Sequence, residues 1–105
     1  AINGSPNRNG NTAYMLQKAI DECKILGANT EVLHCREMIK DQKNPFCIAC
    51  SSPCVGKCYE GKKIAGAYDL ITRADALIVG SPVYFGTVSG QLKAFWDKRL
   101  VQTGA

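Results

Sequence analysis

No stretch of the 105-residue sequence approaches the roughly 18 consecutive apolar residues of a membrane-spanning helix, so no membrane partner is expected. The charged segment and following apolar run of a secretory signal are missing as well. Runs of like charge are absent: 13 basic and 9 acidic side chains are scattered along the chain and leave a net charge of +4. Without a basic stripe or a recognised module, nucleic acid is not an expected partner, and a small anionic molecule is. Histidine occurs once, at His34, inside an expected strand, which favours a structural role over catalysis. Repeats, low-complexity tracts and linkers are lacking, so residues 1–105 are read as one domain. There is no initiator methionine, and Ala1-Ile2-Asn3 reads as the end of a strand whose beginning is missing. A truncated chain is expected on that ground.

What is present suits a folded core. Apolar residues make up 46% of the chain and charged residues 21%, a balance that argues against disorder. A chain this short buries a modest share of its surface, so a cofactor or partner subunit would help it. Six cysteines are many for this length, and four of them fall within twelve residues. Such crowding suits metal or cluster ligation in a reducing compartment better than a disulfide framework, and points to the cytoplasm.

Apolar periodicity sets the order of elements. Residues 3–12 are polar and turn-forming, and from Thr12 the residues Leu16, Ala19, Ile20, Cys23 and Leu26 recur at helical spacing. Asn11 or Thr12 is the expected N-cap and Gly27 the C-cap. Thr30–Cys35 reads as a second strand and Arg36–Glu60 as irregular, with a cysteine-rich insert at 45–60. Lys62–Ala74 reads as a helix burying Ile64, Ala67, Tyr68 and Ile71. The apolar run Ala76–Ser81 has the character of a strand buried on both faces. Ser89–Leu100 is expected to be a helix burying Leu92, Phe95, Trp96 and Leu100, with Asp97, Lys98 and Arg99 as its solvated end. Cys23 is expected in the core and Cys35 as a spare thiol. Strands alternating with helices imply an α/β domain with a parallel sheet covered on both faces. Ligands of such sheets sit beyond the carboxyl ends of the strands, where strand order reverses. Loops 3–12 and 81–88 would meet there if the first and third strands are neighbours.

The first loop, Gly4-Ser5-Pro6-Asn7-Arg8-Asn9-Gly10-Asn11-Thr12, joins a strand to a helix N-terminus, whose amides and dipole suit a phosphate. It lacks the Gly-Lys-Ser or Gly-Lys-Thr of a Walker A loop and the G-x-G-x-x-G of a dinucleotide site, so a monophosphate fits better. The second, Ser81-Pro82-Val83-Tyr84-Phe85-Gly86-Thr87-Val88-Ser89-Gly90, gathers aromatic and apolar residues that could pack on a flat ring or plug the sheet end. In Cys47, Cys50, Cys54 and Cys58, four thiols on a short irregular segment could converge on a 4Fe-4S cluster or a tetrahedral zinc, or stay free. Pro53 and Gly56 would help the backbone wrap around such a centre.

Together, Gly4-Ser-Pro through Gly10-Asn-Thr, Gly80-Ser-Pro-Val-Tyr-Phe-Gly and Gln91-Leu-Lys-Ala-Phe-Trp-Asp-Lys-Arg resemble the NADPH-dependent FMN reductase family, nearest its iron–sulfur flavoprotein branch. The resemblance runs along essentially the whole chain. It implies a flavodoxin-like, three-layer, doubly wound parallel sheet, present here as its N-terminal part of about three strands. It also implies FMN, with Ser5, Arg8, Asn11 and Thr12 around the phosphate and Pro82, Val83, Tyr84, Phe85 and Gly86 flanking the isoalloxazine. The branch carries a compact cysteine motif in the region of Cys47, Cys50, Cys54 and Cys58, with a two, two, longer-gap spacing where this chain has two, three, three. The function implied is an FMN-dependent oxidoreductase of this type. Electrons would come from NAD(P)H or ferredoxin and pass to a small-molecule or protein acceptor, in a homodimer or homotetramer. No protein acid, base or nucleophile is nominated as catalytic. The alternatives are a flavodoxin-like or iron–sulfur electron carrier without turnover of its own, and a zinc-stabilised binding module without flavin.

Overall fold

A computed structural model describes residues 1–50 and 54–103, and side chains through residue 98. In chain order the elements are β1 (Ile2–Asn3), α1 (Asn11–Ile25), β2 (Leu33–His34), α2 (Cys35–Met38), α3 (Lys63–Arg73), β3 (Val79–Gly80) and α4 (Gly90–Thr103). The strands form a parallel sheet in the order β2-β1-β3, the order in which a flavodoxin-like sheet begins. Ile2 stands opposite Leu33 and Val79, and Asn3 opposite His34 and Gly80. The expectation that the first and third strands are neighbours therefore holds.

Side-chain alternation along β1 and β3 assigns the helices to faces. A Cβ on Gly80 would meet Leu16 and Thr12 of α1, whereas one on Gly4 would meet Leu92 of α4. Ile2 shares the Gly4 side and is fully buried among Cys35, Tyr59, Ile64, Ala67, Tyr68, Leu92 and Phe95. Thus α1 covers one face and α2, α3 and α4 the other, giving three layers. Tyr68 organises the second face: its hydroxyl donates to the Phe95 carbonyl at 2.5 Å, and its ring meets Tyr59 edge-on with centroids 5.3 Å apart. Cys35 lies in this core, and burial pushes its thiol up to about 12, so it is an inert core residue.

Four expectations are corrected. Gly10, in extended conformation, is the N-cap of α1, and no side chain caps that end. Gly27 follows Leu26, the C-cap, by one residue, and its φ of 93° closes the helix. There the Gly27 amide donates to Lys24 and the Ala28 amide to Cys23, the paired bonds of a Schellman end. Leu26 consequently points to solvent. The strand at 76–81 is not buried on both faces: Leu77 and Val79 are 40% and 48% exposed. β3 is the edge of the sheet, with β1 as its single neighbour among the described residues. Finally, Lys98 is 3% exposed rather than part of a solvated end, while Asp97 pairs with Lys93 across one turn. The side chains of Arg99 and Leu100 and the whole of Pro53 lie outside the described residues.

Candidate functional site

The loop after β1 is shaped by its own short polar side chains. Asn3 Oδ1 accepts from the Ser5 amide at 2.9 Å, Ser5 Oγ from the Asn7 amide at 3.1 Å, and Asn7 Oδ1 from the Asn9 amide at 3.0 Å. Each of these side chains satisfies the amide two residues on, so three turns follow one another without any backbone ladder. The chain is delivered to Gly10 with the first amides of α1 uncapped. Asn11, Thr12 and Ala13 precede the first intrahelical donor, Tyr14, whose amide bonds to Gly10 at 3.0 Å. Unpaired amides at the positive end of a 15-residue helix are what an anionic group needs.

The second loop is fastened to the first. The Gly4 amide donates to the Gly80 carbonyl at 2.8 Å, so the two Gly-Ser-Pro turns leave the sheet side by side. Both glycines sit at close approaches: a Cβ on Gly4 would lie 2.9 Å from Leu92 Cβ, and one on Gly80 would lie 3.0 Å from Leu16 and Thr12 side-chain atoms, which would have to shift. Ser89 completes the junction. Its hydroxyl donates to the Gly4 carbonyl and accepts from the Leu92 amide, while its own amide donates to Ser81 Oγ. One buried serine thus caps α4 and ties both loops together.

Between Ser81 and Ser89 the chain makes a tight hairpin. The Tyr84 and Thr87 amides exchange bonds with each other's carbonyls at 3.0 and 3.2 Å. Phe85 and Gly86 sit between them with φ of 51° and 76°, the double positive φ of a type I′ turn. Glycine takes this conformation freely, but a phenylalanine is strained in it. Phe85 is fully exposed, and Val83, Tyr84 and Val88 beside it are exposed to a lesser degree. The turn displays an apolar surface at the strand ends.

The residues expected to act together are placed as follows. Ser5 is buried, Thr12 half-buried against Gly80, Asn11 exposed at the first helical position, and Arg8 exposed with Nη1 4.0 Å from Glu37 Oε1. Pro82 is half-buried, and Val83 to Gly86 are exposed. A cavity of about 350 Å³ opens on the β2 side of the first loop, bounded by Arg8, Gly10, Tyr14 and His34 but not by the second loop. His34 Nδ1 accepts from Asn3 Nδ2 at 3.1 Å. Burial, and then the Arg8 charge, hold its imidazole below the ordinary pKa, with Glu37 opposing.

All four cysteines of the insert line a second, largely apolar cavity of about 60 Å³ together with Phe46, Tyr59 and Lys98. Cys47 and Cys54 are half-buried, and Cys50 and Cys58 are exposed. Among the described residues no three His, Cys, Asp or Glu are gathered closely enough to hold an ion. The thiol donor set and its shared apolar wall suit a soft metal or cluster, whose binding would draw the loop together. The insert is closed at its base: Asp41 Oδ2 accepts from the Lys63 amide at 3.2 Å, capping α3 from outside the helix.

Asn3, Asn7 and Ser89 belong to this arrangement although no site role was expected of them, and so does Lys98, expected only as part of a solvated helix end. Polar residues at alternating positions 3, 5 and 7 signal the successive turns. Ser89 stands three residues before Leu92, the N-cap spacing.

The sequence profile of the NADPH-dependent FMN reductase family matches residues 1–100. An iron–sulfur flavoprotein of Archaeoglobus fulgidus is 35% identical over 105 residues, covering 99% of this chain and 50% of that protein. One from Methanocaldococcus jannaschii is 36% identical over 99 residues, covering 92% of this chain and 49% of its own. One from Methanosarcina thermophila is 28% identical over 102 residues, covering 95% and 51%. The chain spans about half the length of the curated relatives it matches. No solved structure matches. No helix among the described residues is long and apolar enough to cross a membrane.

Proposed function

The chain belongs to the NADPH-dependent FMN reductase family, and on that footing we propose that it forms the FMN-binding part of an iron–sulfur flavoprotein-type oxidoreductase. Its electrons come from NAD(P)H or ferredoxin and leave to a small-molecule or protein acceptor. The observation that carries this reading is the pairing of two Gly-Ser-Pro turns at the carboxyl ends of adjacent parallel strands, beside an uncapped helix N-terminus. The amides of Asn11, Thr12 and Ala13 receive the FMN phosphate, with the Ser5 hydroxyl proton and the exposed Arg8 charge available to it. Pro82 to Gly86 face the isoalloxazine, and the apolar Val83-Tyr84-Phe85 segment excludes water from one side of it. FMN, when bound, supplies the hydride and electron chemistry, so no protein acid or base is assigned. Ser89 acts by position, holding both halves of the site in register.

Cys47, Cys50, Cys54 and Cys58 hold a 4Fe-4S cluster in this reading. The fit rests on their shared cavity and on the buried Lys98 ammonium in its wall. The assembly is a cytoplasmic homodimer or homotetramer. The test is Cys50→Ser in protein purified anaerobically, with iron, sulfide and flavin measured on the same sample. Loss of iron with flavin retained supports the cysteine assignment, and unchanged iron overturns it. Steady NADPH oxidation with a quinone or free flavin supports the reductase, whereas reduction by ferredoxin alone makes the protein a carrier.

A further inference from the structure

The Lys98 side chain is 3% exposed, and no carboxylate among the described residues pairs with it. Its Nζ donates to Gln42 Oε1 at 2.5 Å and to the Asn44 carbonyl at 2.6 Å. An ammonium carries three protons, so these neutral acceptors leave one donor unused. Gln42 Nε2, on the same side chain that receives Lys98, is also buried without a hydrogen-bond partner among the described residues. Among the described residues, the base of the cysteine insert therefore holds more donors than acceptors, and a buried positive charge with no carboxylate beside it. Burying a lone charge costs several kcal/mol unless it is compensated.

Lys98 also lines the cavity bounded by Cys47, Cys50, Cys54 and Cys58. We propose that Lys98 is the charge-compensating and positioning residue of the four-cysteine centre, fixing the segment that leads into Cys47 and raising the reduction potential of the metal–sulfur group held there. This rests on the cluster reading of the preceding subsection. A centre of four thiolates and iron is anionic and gains a further negative charge on reduction. A nearby fixed cation stabilises the reduced form more than the oxidised one, most effectively where water is excluded. α4 is capped by Ser89, which clasps the two loops, and carries Lys98 further along, so one helix supports both redox sites.

The experiment is an anaerobic dithionite titration of the iron-loaded full chain, comparing wild type with Lys98→Met, Lys98→Gln and Lys98→Arg. Iron and sulfide are assayed first and folding is checked by circular dichroism. Both neutral variants are expected to favour the reduced centre about tenfold less, a potential lower by about 59 mV for one electron. Lys98→Arg, which keeps the charge, is expected to stay within about twofold of wild type. Iron retained with the same potential in all four proteins overturns the role of Lys98 and leaves the cluster standing. An arginine variant that falls with the neutral ones also overturns it, because charge is then not the cause. Wild-type protein without iron and sulfide overturns the cluster reading, and the role of Lys98 with it. Loss of iron from both neutral variants with retention in the arginine variant supports the charge requirement at the stage of assembly.

Discussion

Replacing Phe85 with asparagine should stabilise the unliganded chain while weakening its hold on FMN. Phe85 has a φ of 51° at the first central position of a type I′ turn, where asparagine is preferred and an aromatic residue is strained. A left-handed conformation costs an ordinary L-residue roughly 1–2 kcal/mol. Phe85 is fully exposed, so the substitution removes no burial from the folded chain to offset that gain. The net expectation is about 1 kcal/mol of added stability, a rise in Tm of roughly 4–8 °C for a domain of this size. On the proposed reading the same change removes an aromatic contact with the flavin, worth roughly 0.5–1.5 kcal/mol, or up to about tenfold in Kd. Thermal melting without FMN and fluorescence titration with FMN measure the two effects separately. A lower Tm would show that contacts support Phe85 in its present conformation and would refute the strain argument. A higher Tm with unchanged FMN affinity would keep the strain and remove Phe85 from the flavin site.

Gly80→Ala places a methyl group 3.0 Å from Leu16 and Thr12 atoms, and overpacking of that kind should cost roughly 1–3 kcal/mol in urea denaturation; wild-type stability would contradict the close approach of α1 to β3. Ser89→Ala removes the α4 cap and the bond to Gly4, and should cost about 2 kcal/mol. It should also raise the FMN Kd, and an unchanged Kd would show that the two loops keep their register without Ser89. His34 is held below its ordinary pKa of 6.5, chiefly by burial, so the unfolded chain takes up the proton first as pH falls. Its stabilising contribution is complete above pH 6.5 and is lost as the pH drops from there toward the lowered folded value, where protonation also ends acceptance from Asn3. Urea midpoints between about pH 7.5 and 5.5 should therefore fall less steeply in His34→Gln, and equal slopes would remove His34 from the pH response.

The sequence was most legible where local chemistry decides the structure. Loop 3–12 reads from its glycine, proline and asparagine content, and α3 from the spacing of Ile64, Ala67 and Tyr68, all of which are buried. The two site loops converge as strand alternation implies, because β1 and β3 pair. Misreadings arose where tertiary context overrides local preference. An apolar run such as 76–81 implies cover on both faces, yet Leu77 and Val79 are partly exposed, with β1 the single strand beside β3 among the described residues. Asn11 and Thr12 have capping oxygens, but the turns made by Asn3, Ser5 and Asn7 carry the extended chain through to Gly10. Lys98 looked solvated among charged neighbours, although it stands three residues after Phe95 on the same helix face. Its partners Gln42 and Asn44 are more than fifty residues away in sequence. The paired roles of Ser81 and Ser89 were equally hidden, because a serine's hydrogen-bond partners are not written in local pattern.

Flavin binding is tested most simply by the visible absorption spectrum of anaerobically purified protein supplied with FMN and freed of excess, recorded before and after NADPH. Resolved flavin bands over a broad sulfur-to-iron shoulder are expected, with the flavin bands bleaching on reduction. Protein that emerges colourless while its circular dichroism shows it folded would mean that the loops joined through Gly4, Gly80 and Ser89 do not form a flavin site.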